Sequence, residues 1–157
     1  MAEAVETLGV TRELAAKAAA AYEAGVPPEV ETSVRRRVLD IVGLCLAARE
    51  LPTSASILAF AVQQGGAAQS TAIGCPVRLP ANQAALVNGV LAHSLDFDDT
   101  HLPSVLHPSA CVVPAALAVA ESVGANGRDL VAAIAIGLEI TVRLGMAGYD
   151  EELGNSV

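Results

Sequence analysis

All three histidines of this 157-residue chain fall in one short run, His93-Ser94-Leu95-Asp96-Phe97-Asp98-Asp99-Thr100-His101-Leu102-Pro103-Ser104-Val105-Leu106-His107-Pro108-Ser109. Three carboxylates and two prolines share it, and the segments on both sides are long, apolar and rich in alanine. Three kinds of chemistry suit such a polar knot. The first is general acid–base work on a small polar substrate, because histidine titrates near working pH and a partly desolvated carboxylate can be tuned towards it. His107-Pro108-Ser109 fits this use: the proline stiffens the backbone and presents the ring where a helix starts. The second is a metal site, since Asp96-x-Asp98-Asp99-x-His101 offers oxygen and nitrogen donors at suggestive spacing for magnesium and a diphosphate. Carbocation chemistry on such a diphosphate wants aromatic walls, and the chain has no Trp, two Phe and two Tyr. The third is purely structural. Asp98 or Asp99 caps a turn, Thr100 bonds back to the chain, and His93 is a satisfied core histidine on an apolar helix face. Asp96, Thr100 and His107 bracket the loop and resist that bland account.

Other chemistries lack their signatures. No cysteine neighbours a histidine, and Ser94 and Ser104 have no G-x-S-x-G context. Gly65-Gly66 and Gly124-Ala125-Asn126-Gly127 match neither G-x-G-x-x-G nor a phosphate-binding P-loop.

The elements that must hold the knot are helical. Arg12 to Ala24 reads as a helix with Thr11 as N-cap and Gly25 as its stop. Pro28 then opens a second helix to about Ala48, on which Val30, Val34, Val38, Ile41, Leu44 and Cys45 recur at three- and four-residue steps. Arg35, Arg36 and Arg37 lie on its wet face. Thr53 or Ser54 caps a third helix to about Gln64. Residues 67–79 are extended, as a hairpin or a plain connection. Pro80 starts a fourth helix to about Leu95, with Asn82, Leu86, Gly89 and His93 close to one face. A fifth runs from Ser109 to about Val123 and carries Pro114, which should kink it outside the first turn. A sixth runs from Arg128 to about Met146, and the polar end from Gly148 should fray. The expected class is all-α: a single packed domain over residues 1–157, with about six helices and one short extended segment.

Composition bounds the function. The chain is 53% hydrophobic but 3% aromatic, with a mean hydropathy of +0.50. That much apolar surface on a short chain points to cover by another subunit or domain. A net charge of −8 and a pI of about 4.7 argue against nucleic acid and against an anionic membrane surface. Cys45, Cys75 and Cys111 stand apart in apolar runs, as reduced, buried thiols of a cytoplasmic protein would. Glu3 and Glu6 speak against a secretory leader. The longest apolar runs are broken by Pro114 and Glu121, or by Glu139 and Arg143, short of the roughly 18 residues a bilayer span needs.

Ala81-Asn82-Gln83-Ala84-Ala85-Leu86-Val87-Asn88-Gly89, then His93-Ser94-Leu95-Asp96-Phe97-Asp98-Asp99-Thr100, then His107-Pro108-Ser109, resemble the MmgE/PrpD family. The likeness runs from about Glu31 to Leu144 and includes the Gly127-Arg128-Asp129-Leu130 start of the sixth helix. The resemblance implies a cofactor-free, metal-free lyase or isomerase acting on a small di- or tricarboxylate. Activities of the family include dehydration of 2-methylcitrate, decarboxylation of cis-aconitate and epimerisation of iminodisuccinate. The family's catalytic aspartate, threonine and first histidine fall on Asp96, Thr100 and His107, with His101, Ser109 and His93 as substrate-binding neighbours. The resemblance also implies a large helical domain with a smaller α+β lid, usually as a homodimer. Family members are about three times longer, so the lid, a second active-site histidine and later lysines would come from elsewhere. That leaves two rivals to an acid–base enzyme: a non-catalytic helical subunit that associates with itself or a complementary chain, and a metal-dependent enzyme using the acidic cluster.

Overall fold

The structure, a computed structural model, describes the backbone of residues 2–150 and 155–156 and the side chains of residues 9–148. Helix α1 (Ala2–Ala24) begins well before the expected cap, so Thr11 lies inside the helix. It ends where Gly25 turns to a φ of +80°, a conformation that suits a residue without Cβ. Helix α2 (Pro28–Ala48) starts on Pro28, whose missing N–H is not needed there, with Glu29 and Glu31 in its positive first turn. Val34, Ile41, Cys45 and Ala48 form its buried stripe, whereas Val30 stays exposed. Helix α3 (Pro52–Gln64) follows a tight corner. Leu51, not Thr53 or Ser54, occupies its N-cap position. Ser54 instead donates its hydroxyl to the carbonyl of Ala48 at 2.8 Å, closing the free end of α2.

The extended segment is a hairpin. Strands β1 (Ser70–Thr71) and β2 (Arg78–Leu79) pair antiparallel, with Ser70 opposite Leu79. Buried Asn88, on helix α4 (Ala81–His93), pins it to the core. Its Oδ1 accepts the N–H of Ile73 at 2.8 Å, and its Nδ2 donates to the carbonyl of Thr71 at 2.9 Å. The hydroxyl of Ser70 reaches the carbonyl of Ala118 at 2.6 Å.

Helix α5 (Pro108–Val123) packs closely on α4, and Pro114 sits inside it without ending it. A proline at 114 has no N–H for the carbonyl of Ala110. That carbonyl instead lies against Gly89, at 3.4 Å from where a Cβ would stand. The small residue on α4 and the proline on α5 therefore suit one another. The core gathers Val34, Ile41, Val87, Leu91, Val113 and Ile134 from α2, α4, α5 and α6.

Helix α6 (Gly127–Ala147) is capped by Asn126, whose side chain accepts from the N–H groups of Arg128 and Asp129. Contrary to the expectation from sequence, α6 is long and apolar enough to cross a membrane by length and composition, and little of it is buried. It nonetheless packs on α5, α2 and α1 as a helix of the domain, and its Glu139 and Arg143 form a surface pair. An apolar groove of about 700 Å³ runs between α5 and α6, walled by Val112, Ala116, Val119, Ala133, Gly137 and Ile140. Beyond Gly148, where fraying was expected, β3 (Tyr149–Asp150) pairs with β4 (Asn155–Ser156). The rest of that expectation lies outside the described residues. The all-α class therefore stands, with six α-helices among the described residues, the hairpin at 67–79 and the short β3–β4 pair.

Candidate active site

The C-terminal end of α4 and the N-terminal end of α5 bring the polar knot together. Helix α4 stops at His93, and the chain turns at Asp96, which takes a left-handed φ of +55° while its N–H bonds the carbonyl of His93 at 3.1 Å. Asp tolerates that conformation better than most residues with a Cβ. His107 then stands at the N-cap position of α5. The rings of His93 and His107 meet edge to face, with centroids 5.0 Å apart.

Asp98 lies beneath both rings, its side chain fully buried. Nδ1 of His93 is 3.0 Å from Oδ1 and 3.2 Å from Oδ2 of Asp98. Nδ1 of His107 is buried and makes no hydrogen bond, with Asp98 Oδ2 at 3.4 Å. His93 is more than half exposed, so it is not the satisfied core histidine that its apolar helix face suggested. Asp96 completes the group: His93, Asp96, Asp98 and His107 each offer one nitrogen or oxygen within 4.8 Å of the others.

The flanking residues are engaged differently. Asp99 accepts the N–H of Ser109 at 3.0 Å, so it caps α5 from across the loop. Its other oxygen pairs with Nη1 of Arg37, which also donates to Ser109 Oγ at 3.1 Å. Arg37 thus leaves the wet face assigned to it and clamps the start of α5. Ser109 is buried in this clamp. His101 faces its own turn, with Nδ1 2.8 Å from Ser104 Oγ and a backbone bridge to Leu106. Inside that turn Val105 is held at a φ of +51°, a strained state for a β-branched residue. Thr100 is exposed, and its hydroxyl forms no hydrogen bond among the described residues. The structure therefore gathers Asp96, His107 and His93, and leaves Thr100, His101 and Ser109 outside that group. Asp98, expected as a turn cap or a metal donor, joins that group instead, and Arg37, expected on a wet face, braces the loop from outside it.

Two donor sets for a metal can be compared. The run Asp96-x-Asp98-Asp99-x-His101 does not converge, because Arg37 holds Asp99 and Ser104 holds His101. The set that does converge is His93, Asp96, Asp98 and His107. Its mixed nitrogen and oxygen donors suit a divalent ion in type, but within it the imidazoles already face Asp98.

A shallow groove of about 440 Å³ opens beside the rings, walled by Ala85, Leu86, Gly89, Val90, Ala110 and Cys111. Two imidazoles thus stand at the edge of an apolar floor. Among the thiols, burial pushes Cys45 up to about 12 and raises Cys75 as well, so neither is a ready nucleophile. Contrary to the expectation of three buried cysteines, Cys75 is only partly buried and Cys111 is exposed, because it borders the open grooves on α5.

Comparison with known proteins agrees with this architecture. Residues 12–156 match the model of the MmgE/PrpD N-terminal domain. The chain is 39% identical over 119 residues to cis-aconitate decarboxylase of Homo sapiens, covering 70% of this chain and 24% of that protein. The Mus musculus cis-aconitate decarboxylase is 35% identical over 115 residues, covering 70% and 23%. That of Aspergillus terreus is 25% identical over 153 residues, covering 94% and 31%. The chain spans between about a quarter and a third of the length of these curated relatives.

Proposed function

The chain belongs to the MmgE/PrpD family, and from that premise we propose that it carries the helical half of an acid–base site acting on a small di- or tricarboxylate. The observation that supports this most is the convergence of His93, Asp96, Asp98 and His107 within 4.8 Å at the edge of an apolar groove. A base in this group takes the proton from the carbon beside a substrate carboxylate. For a dehydration, an acid in the group then protonates the departing hydroxyl, which leaves as water. For a decarboxylation, carbon dioxide leaves in place of that proton: the bond from carbon to the carboxylate breaks, its electron pair stays on the carbon chain, and the acid protonates the carbanion so formed. For an epimerisation, the carbon is reprotonated from the opposite face. Asp96 and His107 divide these roles, a carboxylate and an imidazole being side chains that general acid–base catalysis commonly uses. Thr100, exposed and with a free hydroxyl, supplies a hydrogen bond to the substrate.

The reaction needs no metal or organic cofactor in this scheme. It takes place in the cytoplasm, in a homodimer or with a partner chain that brings the further groups and the lid. His107→Ala tests it in an assembly that turns over such a carboxylate. A loss of at least about a hundredfold in turnover is expected, the low end for a general acid–base residue. An unchanged rate would remove His107 from the chemistry.

A second reading is favoured by the exposed apolar faces. Phe97, Leu102 and Val123 are each more than 70% exposed, and the α5–α6 groove is almost wholly apolar. In that reading the chain serves as a non-catalytic helical subunit that associates through these faces. Light scattering tests association, against which a clean monomer would count, and turnover of a small carboxylate by the assembly separates the two readings.

A further inference from the structure

We propose that Asp98 is a shared positioning residue, one buried carboxylate that holds the imidazoles of both His93 and His107 with Nδ1 protonated and Nε2 free. The inference rests on the acid–base reading above but is carried by different observations. A carboxylate taken fully out of water requires donors around it, and the side chain of Asp98 is completely buried. Nδ1 of His93 lies 3.0 and 3.2 Å from its two oxygens. The second ring brings a buried Nδ1 that has no hydrogen-bond partner to 3.4 Å from Oδ2, so Asp98 is the acceptor within reach of a proton on it. A carboxylate has acceptor sites enough for both rings.

An imidazole that donates from Nδ1 to a carboxylate must leave Nε2 as an acceptor, and the nitrogens sit on opposite sides of the ring. Both rings line the groove, so in this proposal their Nε2 atoms are the acceptors left for a substrate bound there. The 5.0 Å separation of the ring centroids then offers a substrate two adjacent bases rather than one. Asp98 itself touches no substrate in this arrangement, because it is sealed beneath the rings. His93 gains a role as the second base, alongside the one proposed for His107.

The test is nitrogen NMR of the histidine side chains on the 15N-labelled full chain at mildly alkaline pH. With three histidines in the sequence, assignment by single substitutions is direct. The expected result is that both His93 and His107 carry the proton on Nδ1. Asp98→Asn puts an amide NH2 donor where one carboxylate oxygen stood, and a ring facing it must present a bare Nδ1, so at least one ring should move its proton to Nε2. Asp98→Ala removes both acceptors, and both rings should move. His101, whose Nδ1 faces Ser104 Oγ rather than Asp98, is the internal control and should not change in either variant. A wild-type ring found protonated on Nε2 overturns the shared role, and so does a change in Asp98→Ala confined to His93. The wild-type spectrum decides the matter even where a variant fails to fold. The measurement needs no turnover, so it can fail or succeed independently of the His107→Ala rate.

Discussion

Replacing Arg37 by Met should loosen the start of α5, and the size of the effect follows from what the guanidinium touches. Arg37 pairs with Asp99 and donates to Ser109 Oγ at 3.1 Å. The two side chains are 37% and 25% exposed, so solvent screens the pair and it contributes at most about 1 kcal/mol. The hydrogen bond to the buried Ser109 hydroxyl adds about 1 kcal/mol. Asp99 keeps the Ser109 N–H at 3.0 Å and part of its solvent contact, which limits the penalty of stranding its charge. The expected loss is about 2 kcal/mol, or a Tm lower by roughly 4–8 °C for a chain of this size. Thermal and urea unfolding followed by circular dichroism would measure it. Arg36→Met, one residue along on the exposed face, should stay within about 0.5 kcal/mol. A double-mutant cycle with Asp99→Asn should return a coupling of about 1 kcal/mol, because Asn keeps an acceptor for Ser109 but loses the charge. Equal effects at positions 36 and 37, or a cycle without coupling, would refute the clamp.

Alkaline pH should weaken the fold through Cys45. Burial raises its folded value to about 12 from the usual 9.0, so the stability it contributes is complete below about pH 9 and is lost as pH rises towards 12. Urea midpoints taken along an alkaline series should fall more steeply for the wild type than for Cys45→Ala, and parallel slopes would contradict this. Gly145→Ala places a Cβ 2.8 Å from Ser104 Cβ and closer still to Leu106 Cδ1. It should cost about 1–3 kcal/mol as overpacking, read as a lower urea midpoint; no change would show that the 102–106 turn yields freely. Finally, the 157-residue chain by itself should bind 2-methylcitrate or cis-aconitate no better than about 1 mM, roughly −4 kcal/mol. Arg37, the cation that does approach the site, is already committed to Asp99. Micromolar binding by calorimetry would reveal an anion site that these side chains do not supply.

The helices were legible because their signals are local. Pro28, Gly25 and the Val34–Ile41–Cys45 stripe announce α2 and its boundaries without any distant residue. Where a local signal competed with another, the boundary slipped. Thr11 looks like a cap, yet the segment before it is also helical, and Ser54 is spent on the end of α2 rather than the start of α3. The site was legible as a stretch but not as a geometry. Asp98 and Asp99 are neighbours with the same side chain, and nothing in their order says that one goes under the histidines while the other turns to α5. Arg37 lies sixty-two positions from Asp99, and a triplet of arginines gives no hint that one member folds inward. His93 misled because an apolar helix face usually continues into the core, whereas here the helix ends on that residue.

The left-handed backbone at Asp96 leaves a mark on how this position can change over evolutionary time. In the proposed function the same side chain is asked to serve the reaction and to permit a sharp reversal of the chain, and the second demand outlives the first. A lineage that abandoned the chemistry would remain under pressure to keep a residue that tolerates positive φ, so Asn or Gly would replace Asp there long before Val or Leu did. In a set of descendants, an inactive member would therefore be recognised by a conservative letter at 96 and not by a disrupted loop. The fold would go on describing the outline of a site after its purpose had gone.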